Sequence, residues 1–353
     1  MSYLRNAWYV AAWSEEVTAV PLARTLLGEP LVFFRTAAGA AGALLDRCPH
    51  RFAKLSMGTV VGAGIECRYH GLRFDGHGAC IANPHGPVGP LTRVRSYPVH
   101  EAYRAVWIWM GDPAVADPAR IPDLAFLSEA PESVFSKGYI CGRGNYQLFT
   151  DNILDLTHAD FLHPDTLGGG TFTRTRAKIV AHGDTLAIHW YAADVTPSPV
   201  MASRLPAGTL AADTWTEVQW HPPAVMVLHS GAVPTGLPRA QGNSTLNLHS
   251  MTPETDRTTH YFYAATRNHD CHDMDLNRRI AERRDRIFAT EDEPMIAGQQ
   301  ERLGETGFWE LQPALMRIDE GAVRVRRILE RLIATEHNSA VLDTYTPGPT
   351  DPI

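Results

Sequence analysis

Cys48-Pro-His50 and, sixteen residues further on, Cys67-Arg-Tyr-His70 decide how this chain is read. Each half offers one thiol and one imidazole, first as C-x-H and then as C-x2-H. Structural zinc sites instead space their paired ligands as C-x2–4-C and H-x3–5-H. The mixture suits a [2Fe-2S] centre with cysteines on one iron and histidines on the other. Exchanging two anionic thiolates for neutral imidazoles raises the reduction potential to about −150 to +300 mV, against about −400 mV for plant-type ferredoxins. Cys48, His50, Cys67 and His70 are therefore expected to bind a cluster that accepts electrons. The open question is what receives them.

The chain has 353 residues, which at roughly 150 per domain suggests about two domains. With 44% hydrophobic and 20% charged residues, its composition is that of a globular protein. No apolar run approaches the ~20 residues that span a bilayer. The start, Met1-Ser-Tyr-Leu-Arg-Asn-Ala-Trp-Tyr-Val, lacks a basic segment followed by a long apolar one, so a cytoplasmic protein is expected. A net charge of −7 argues against nucleic acid and against an anionic membrane surface as partners. The five cysteines, 48, 67, 80, 141 and 271, are too sparse for a disulfide framework. The last three read as ordinary thiols.

Short apolar runs separated by Gly and Pro fill the first 110 or so residues. Leu31–Arg35, Gly42–Asp46 and Ala105–Met110 read as strands, with turns at Gly39, Gly62-Ala-Gly64 and Asp75-Gly-His-Gly78. This pattern predicts an all-β domain. Residues 111–135 are rich in Pro, Asp and Ala and form a linker or a wrapping segment. Beyond them, strand-like runs at 187–191, 225–228 and 260–264 alternate with helical stretches near 148–163, 273–302 and 320–335. The expected fold class is α+β, with an all-β cluster domain over 1–115 and an α+β domain over 116–353.

A second constellation lies in Thr150-Asp-Asn-Ile-Leu-Asp-Leu-Thr-His-Ala-Asp-Phe-Leu-His163-Pro164. Its apolar residues predict a buried helix. Asp155 and His158, three apart, share a face. His163 falls about 140° around an ideal helix from His158, so a regular helix would not aim both imidazoles at one atom. Pro164 pushes the residue before it out of the α region, and His163 can turn back at the helix end. Two histidines and one carboxylate with open positions form the facial triad of non-haem Fe(II) oxygenases. Asp151 and Asp155 are nearby carboxylates, Asp155 fitting better as an outer partner. A distant candidate is Phe288-Ala-Thr-Glu-Asp-Glu-Pro294. Phe288, Asp292 and Ile296 recur at i, i+4 and i+8 on one apolar stripe, and a carboxylate there needs a partner or a metal. Spacing alone leaves Glu291 open beside Asp292.

The two motifs in one chain resemble the oxygenase component of Rieske non-haem iron oxygenases. The nearer branch is the vanillate O-demethylase-like one, with the dicamba and toluenesulfonate monooxygenases. The resemblance is carried by Arg5-Asn-Ala-Trp-Tyr-Val-Ala-Ala12, Cys48-Pro-His-Arg51, Tyr69-His-Gly-Leu72, Ile108-Trp-Met-Gly-Asp-Pro113 and Asp151-Asn-Ile-Leu-Asp-Leu-Thr-His158. It continues through Thr252-Pro-Glu-Thr255, Thr266-Arg-Asn268 and Phe288-x2-Glu-Asp292, and so covers nearly the whole chain. It implies a Rieske domain followed by a helix-grip (START-like) catalytic domain with an antiparallel sheet. It also implies Cys48, His50, Cys67 and His70 as cluster ligands, and His158, His163 and Asp292 as ligands of one mononuclear Fe(II). Asp155 matches the carboxylate that bridges to the cluster histidine of the next subunit in a homotrimer. Asn152 matches a polar residue near the iron, and Arg51 supports the cluster or the reductase contact.

The same resemblance places a substrate-contacting histidine at His249, with His229, Met226 and Phe161 as weaker candidates. Most other histidines, such as His77, His182 and His272, are expected in solvent. No Gly-rich turn here has the strand-G-x-G-x-x-G-helix setting of a dinucleotide site. NAD(P)H is therefore expected to act only through a separate reductase, with O2 as co-substrate. The function implied is oxidation of a small aromatic acid, by O-demethylation of a methoxybenzoate with release of formaldehyde. Methyl or ring hydroxylation of an aromatic sulfonate or carboxylate is the alternative. A Rieske electron carrier without oxygenase chemistry is more remote.

Overall fold

The computed structural model describes residues 3–344. The strand Glu29–Arg35 carries Leu31, Val32, Phe33 and Phe34, all fully buried. Such an unbroken apolar run belongs to a strand covered on both faces. It lies inside a four-stranded antiparallel sheet, between Leu22–Leu26 and Ala41–Leu45, with Ser96–Tyr97 beyond. A second such sheet is built from Thr59–Val61, Gly64–Glu66, Arg73–Asp75 and Cys80–Ala82. Phe34, Leu44, Leu55, Ile65 and Phe74 pack with Cys48 and Cys67 in one core. The turn at Gly78 has φ of 75°, and a Cβ there would lie 1.9 Å from the Val94 carbonyl oxygen, so glycine is required twice over.

Trp8–Trp13, Ala105–Trp109 and Val99–Ala102 form a three-stranded sheet with Ala105–Trp109 in the middle. Its side chains alternate between two cores. Trp8, Val10, Trp107 and Trp109 pack on Val225, Leu248, Phe262 and Ala264. Tyr9, Ala11, Val106 and Ile108 belong to the larger core that includes the 146–154 helix. Segment 111–135 is a wrapping segment rather than a free linker. Ile121, Leu124 and Leu127 are buried in the tryptophan cluster, and the indole N–H groups of Trp8 and Trp109 donate to the Asp117 and Asp112 carbonyls, each at 2.8 Å.

The second half is built on a seven-stranded antiparallel sheet. Its spatial order is Ser136–Gly142, Thr258–Arg267, Asn243–Thr255, Val225–Pro234, Ala212–His221, Thr185–Val195 and Lys178–His182. The pairings Leu228↔Asn247, Ser230↔Thr245 and His249↔Tyr263 set these six residues on one face, since side chains alternate along a strand. Leu248, Phe262 and Ala264 project to the opposite face, against the tryptophans. Truncating the fully buried Phe262 to alanine would cost about 3–5 kcal/mol. Strands first, then mixed helices and a large antiparallel sheet, is the α+β organisation expected. Among the described residues no helix is long and apolar enough to cross a membrane.

The helices depart from the sequence expectation in two places. The stretch near 148–163 is not one helix. Tyr146–Leu154 ends at Asp155, whose backbone is extended (φ −120°, ψ 95°). A short 3-10 turn, Leu156–His158, and one α turn, Ala159–Leu162, follow. The Asp155 carboxylate causes the break by capping the new turn, accepting from Thr157 N at 2.9 Å and Thr157 Oγ1 at 2.7 Å. The stretch near 273–302 runs as Met274–Ile287, a π-turn over Phe288–Asp292, and Glu293–Leu303. Pro294 has no N–H to donate and its ring crowds the carbonyl four residues back, which widens the turn. The last helix, Glu320–Thr344, extends past the expected 335. It packs on the 146–154 helix, where Arg326 clasps Asp151 through Nη2 at 2.5 Å.

Candidate metal centres and substrate cavity

Two loops of matching design hold the first motif. Cys48 N donates to Ala53 O and Phe52 N to Cys48 O. In the same way Cys67 N donates to Leu72 O and Gly71 N to Cys67 O. Phe52 and Gly71 occupy equivalent positions with φ of 61° and 76°. Both cysteines are 2% exposed, while the His50 and His70 rings lie 4.5 Å apart towards the surface. Burial, with Cys67 beside it, pushes the Cys48 thiol up to about 11, so a bound metal is what would make it a thiolate. Two buried thiols behind two outward imidazoles fit a Rieske cluster with its histidine iron outermost.

His158, His163 and Asp292 come together, each offering one ligand atom within 4.8 Å of the others. The chain break explains the pair. His158 lies in the 3-10 turn, and His163 leaves the helix at φ −120°, ψ 45°, outside the α region that the following Pro164 disfavours. Both rings are oriented by acceptors at Nδ1. His158 Nδ1 faces the Asp155 carbonyl at 2.5 Å, and His163 Nδ1 faces Glu291 Oε2 at 2.6 Å. The Nε2 atoms turn inward, 3.5 and 3.1 Å from Asp292 Oδ1. Burial opposes the Asp292 charge, but hydrogen bonds from His158 and His163, then Asn152, hold its carboxyl well below the usual range. Two imidazoles anchored at Nδ1, whose Nε2 protons a metal would displace, and a carboxylate held by Asn152 fit a two-histidine, one-carboxylate iron site.

The other carboxylates raised by the sequence have different work. Asp151 points to Arg326, and the Asp155 carboxylate caps its own turn, so neither stands among the three grouped donors. Glu291 and Asp292 meet opposite nitrogens of His163. Consecutive residues on a regular helix point about 100° apart, and the π-turn brings both to one ring. Asn152 Nδ2 donates to Asp292 Oδ1 at 3.1 Å.

A cavity of about 320 Å³ opens onto these donors. Ile153, Phe172, Leu228, Tyr261 and Phe288 supply its apolar walls. The Asp160 carboxylate folds the loop beside it, accepting from the N–H groups of Gly169, Gly170 and Thr173 at 3.2, 2.8 and 2.8 Å. His249 lines the cavity and shares a 2.5 Å hydrogen bond with the Tyr261 hydroxyl. Burial, and then the nearby Arg284, push its pKa down to about 3.

The weaker substrate candidates lie elsewhere. Met226 is fully buried in the core and does not reach the cavity. His229 projects to the other face of its strand, 3.4 Å from Glu217 and beside Arg239. The strand's two-residue period puts it opposite Leu228 and Ser230. Phe161 is 79% exposed on the outer surface. Arg204, His269, Arg283 and Arg284 line the cavity and were missed. A signal existed for one pair: Leu276, Ile280 and Ile287 mark the helix's inward stripe, and Arg283 and Arg284 interrupt it.

Two thiol–imidazole loops followed by two histidines and a carboxylate grouped beside a large antiparallel sheet make the arrangement of a Rieske-type oxygenase. Two family models match, the Rieske [2Fe-2S] domain over residues 7–98 and the vanillate O-demethylase oxygenase C-terminal domain over 143–335. The chain belongs to the vanillate O-demethylase-type family of Rieske non-haem iron oxygenase components. It is 37% identical over 336 residues to the oxygenase component of dicamba O-demethylase from Stenotrophomonas maltophilia, covering 94% of this chain and 98% of that one. It is 37% identical over 353 residues to the iron-sulfur subunit of the toluene-4-sulfonate monooxygenase system of Comamonas testosteroni, covering 95% and 98%. Dicamba monooxygenase bound to 3,6-dichlorosalicylic acid superposes with a TM-score of 0.90 at 36% identity, over 96% of this chain and 99% of that one. A structure of dicamba monooxygenase also contains non-heme iron and dicamba. The protein is thus the oxygenase component of a monooxygenase that carries a Rieske cluster and a mononuclear iron, uses O2, and works with a separate reductase.

Proposed function

We propose that this oxygenase removes the methyl group of a methoxybenzoate, with hydroxylation of an aromatic sulfonate or carboxylate as the second reading. The observation that carries the proposal is the aromatic-lined cavity of about 320 Å³ ending on His158, His163 and Asp292. That volume suits a single substituted ring. Those three residues would hold the iron, and Cys48, His50, Cys67 and His70 the cluster. Iron bound there supplies activation of O2. Asn152 holds Asp292, while Glu291 and the Asp155 carbonyl fix the imidazole tautomers. The apolar walls exclude water and set the substrate methyl facing the triad.

One oxygen atom enters a methyl C–H bond of the substrate, and the other leaves as water with two electrons and one proton drawn from NAD(P)H through the reductase and a second proton from solvent. A hydroxylated methoxy group is a hemiacetal, which collapses to a phenol and formaldehyde. The Asp155 carboxylate lines an outer groove with Arg174 and Ile179, separate from the iron cavity. This supports a bridging role towards the cluster histidine of a neighbouring copy in a homotrimer. A cytoplasmic setting and a domain boundary after residue 115 complete the proposal. The relation to the toluenesulfonate enzyme favours the second reading as well.

Purified protein, a compatible reductase and NADH, supplied with methoxybenzoates, should release formaldehyde and yield products lighter by CH2. Products heavier by one oxygen, with no formaldehyde, would decide for hydroxylation.

A further inference from the structure

The cavity wall is cationic, and no lining residue beside its arginines is an acid. Arg204, Arg283 and Arg284 line it, and the one carboxylate among the lining residues is Asp292, at the metal end. Arg204 spends its Nη1 on the Ser230 carbonyl at 2.9 Å and the Ser230 hydroxyl at 3.1 Å, both neutral. No ion pair engages Arg204 or Arg284 among the described residues. Arg284 Nη1 is enclosed and has no hydrogen-bond partner at all, and its guanidinium lies over the Tyr263 ring at 5.8 Å. His269 Nε2, on the same cavity, is also enclosed and unpartnered, while its Nδ1 meets Asp270 at 2.8 Å. Enclosed cations and donors are costly unless something satisfies them; the chain gives Arg204 neutral acceptors alone, and the acid that acts on Arg284, Asp285, is engaged by the Tyr263 hydroxyl.

We infer that Arg204 and Arg284 form an anion subsite that grips the carboxylate or sulfonate of the aromatic substrate and so determines its class. The inference rests on the aromatic-acid reading above and names the residues that select for it. Burial, with the two other arginines nearby, pushes Arg204 down to about 10. A bound anion would relieve that strain. The guanidinium fork suits the paired oxygens of either acid group.

The test is equilibrium binding to the holoprotein, oxidised and without reductase, by titration calorimetry. The probes are 3-methoxybenzoate, toluene-4-sulfonate and the neutral methyl ester of the first. The wild type should bind an acid more tightly than the ester. Arg284→Leu and Arg204→Met should each weaken acid binding about 10- to 100-fold, the loss of a charge-assisted hydrogen bond, and leave ester binding unchanged. Arg284→Lys should recover part of the affinity, and an unaltered cluster spectrum shows that each variant is folded. The ratio of sulfonate to carboxylate affinity identifies the preferred anion. Tight acid binding that survives both substitutions, or equal losses for acid and ester, overturns the arginine assignment alone. A wild type that binds the ester but neither acid overturns the aromatic-acid reading too.

Discussion

Glu291 Oε2 and His163 Nδ1 lie 2.6 Å apart, on the side of the imidazole turned away from Asp292. A carboxylate behind a ligating histidine fixes the ring's tautomer and makes the inward nitrogen more basic. Glu291→Ala should weaken iron retention about 10- to 100-fold, read by competition with a chelator. Glu291→Gln keeps an acceptor and should lose less. Equal retention in all three proteins would show that Glu291 does not orient the ring.

His158→Ala removes one of the three grouped donors without touching the Cys48 and Cys67 loops. Metal analysis should fall by one from about three irons per chain, turnover should vanish, and the cluster's visible spectrum should persist. Loss of that spectrum would contradict the division of ligands between the two centres.

Asp155→Asn keeps an oxygen to cap Thr157, so the chain break and both metals should survive. The bridging proposal expects reoxidation of the reduced cluster in the presence of O2 and substrate to slow markedly in stopped-flow absorbance. A wild-type rate would remove Asp155 from the electron path.

Arg326 is 6% exposed and Asp151 23% at their side chains, and they join the last helix to the helix that carries Asn152. Removing one partner of an enclosed pair strands the other. Arg326→Met should lower stability by about 3 kcal/mol in urea unfolding. An unchanged midpoint would mean that solvent already screens the pair.

Stability should fall with acid partly through His249. Its native pKa of about 3 lies below the ordinary 6.5, because burial and Arg284 oppose its charge. As pH drops through 6.5 the unfolded chain takes up a proton that the native chain refuses. The stability is therefore complete above pH 6.5 and lost below it, at up to about 1.4 kcal/mol per pH unit. His249→Gln should show a flatter dependence between pH 6.5 and 4 in denaturant titrations. Parallel curves would show that His249 charges freely in the native protein.

The two groupings of donor residues were legible because their residue types and short spacings are chemical requirements: a thiol with an imidazole in each loop, and two histidines five apart with a proline after the second. The strand-rich beginning was legible from its apolar runs, since Leu31–Phe34 can be covered on both faces only inside a sheet. The third of the grouped donors was harder. Asp292 is 129 residues from His163, and an ideal-helix stripe left Glu291 open beside it. The π-turn separated their roles, and the sequence hinted at it only through Pro294.

The chain by itself determined which chemistry is present, because a thiol, an imidazole or a carboxylate carries its donor atoms wherever the fold puts it. Only the tertiary structure decided what those atoms face. Sheet register sent His229 away from the cavity and His249 into it, since a two-residue period turns neighbours to opposite faces. Long-range packing brought Arg204 and Arg284 to one cavity, where their lack of an ion pair among the described residues is a property of space and not of spacing along the chain.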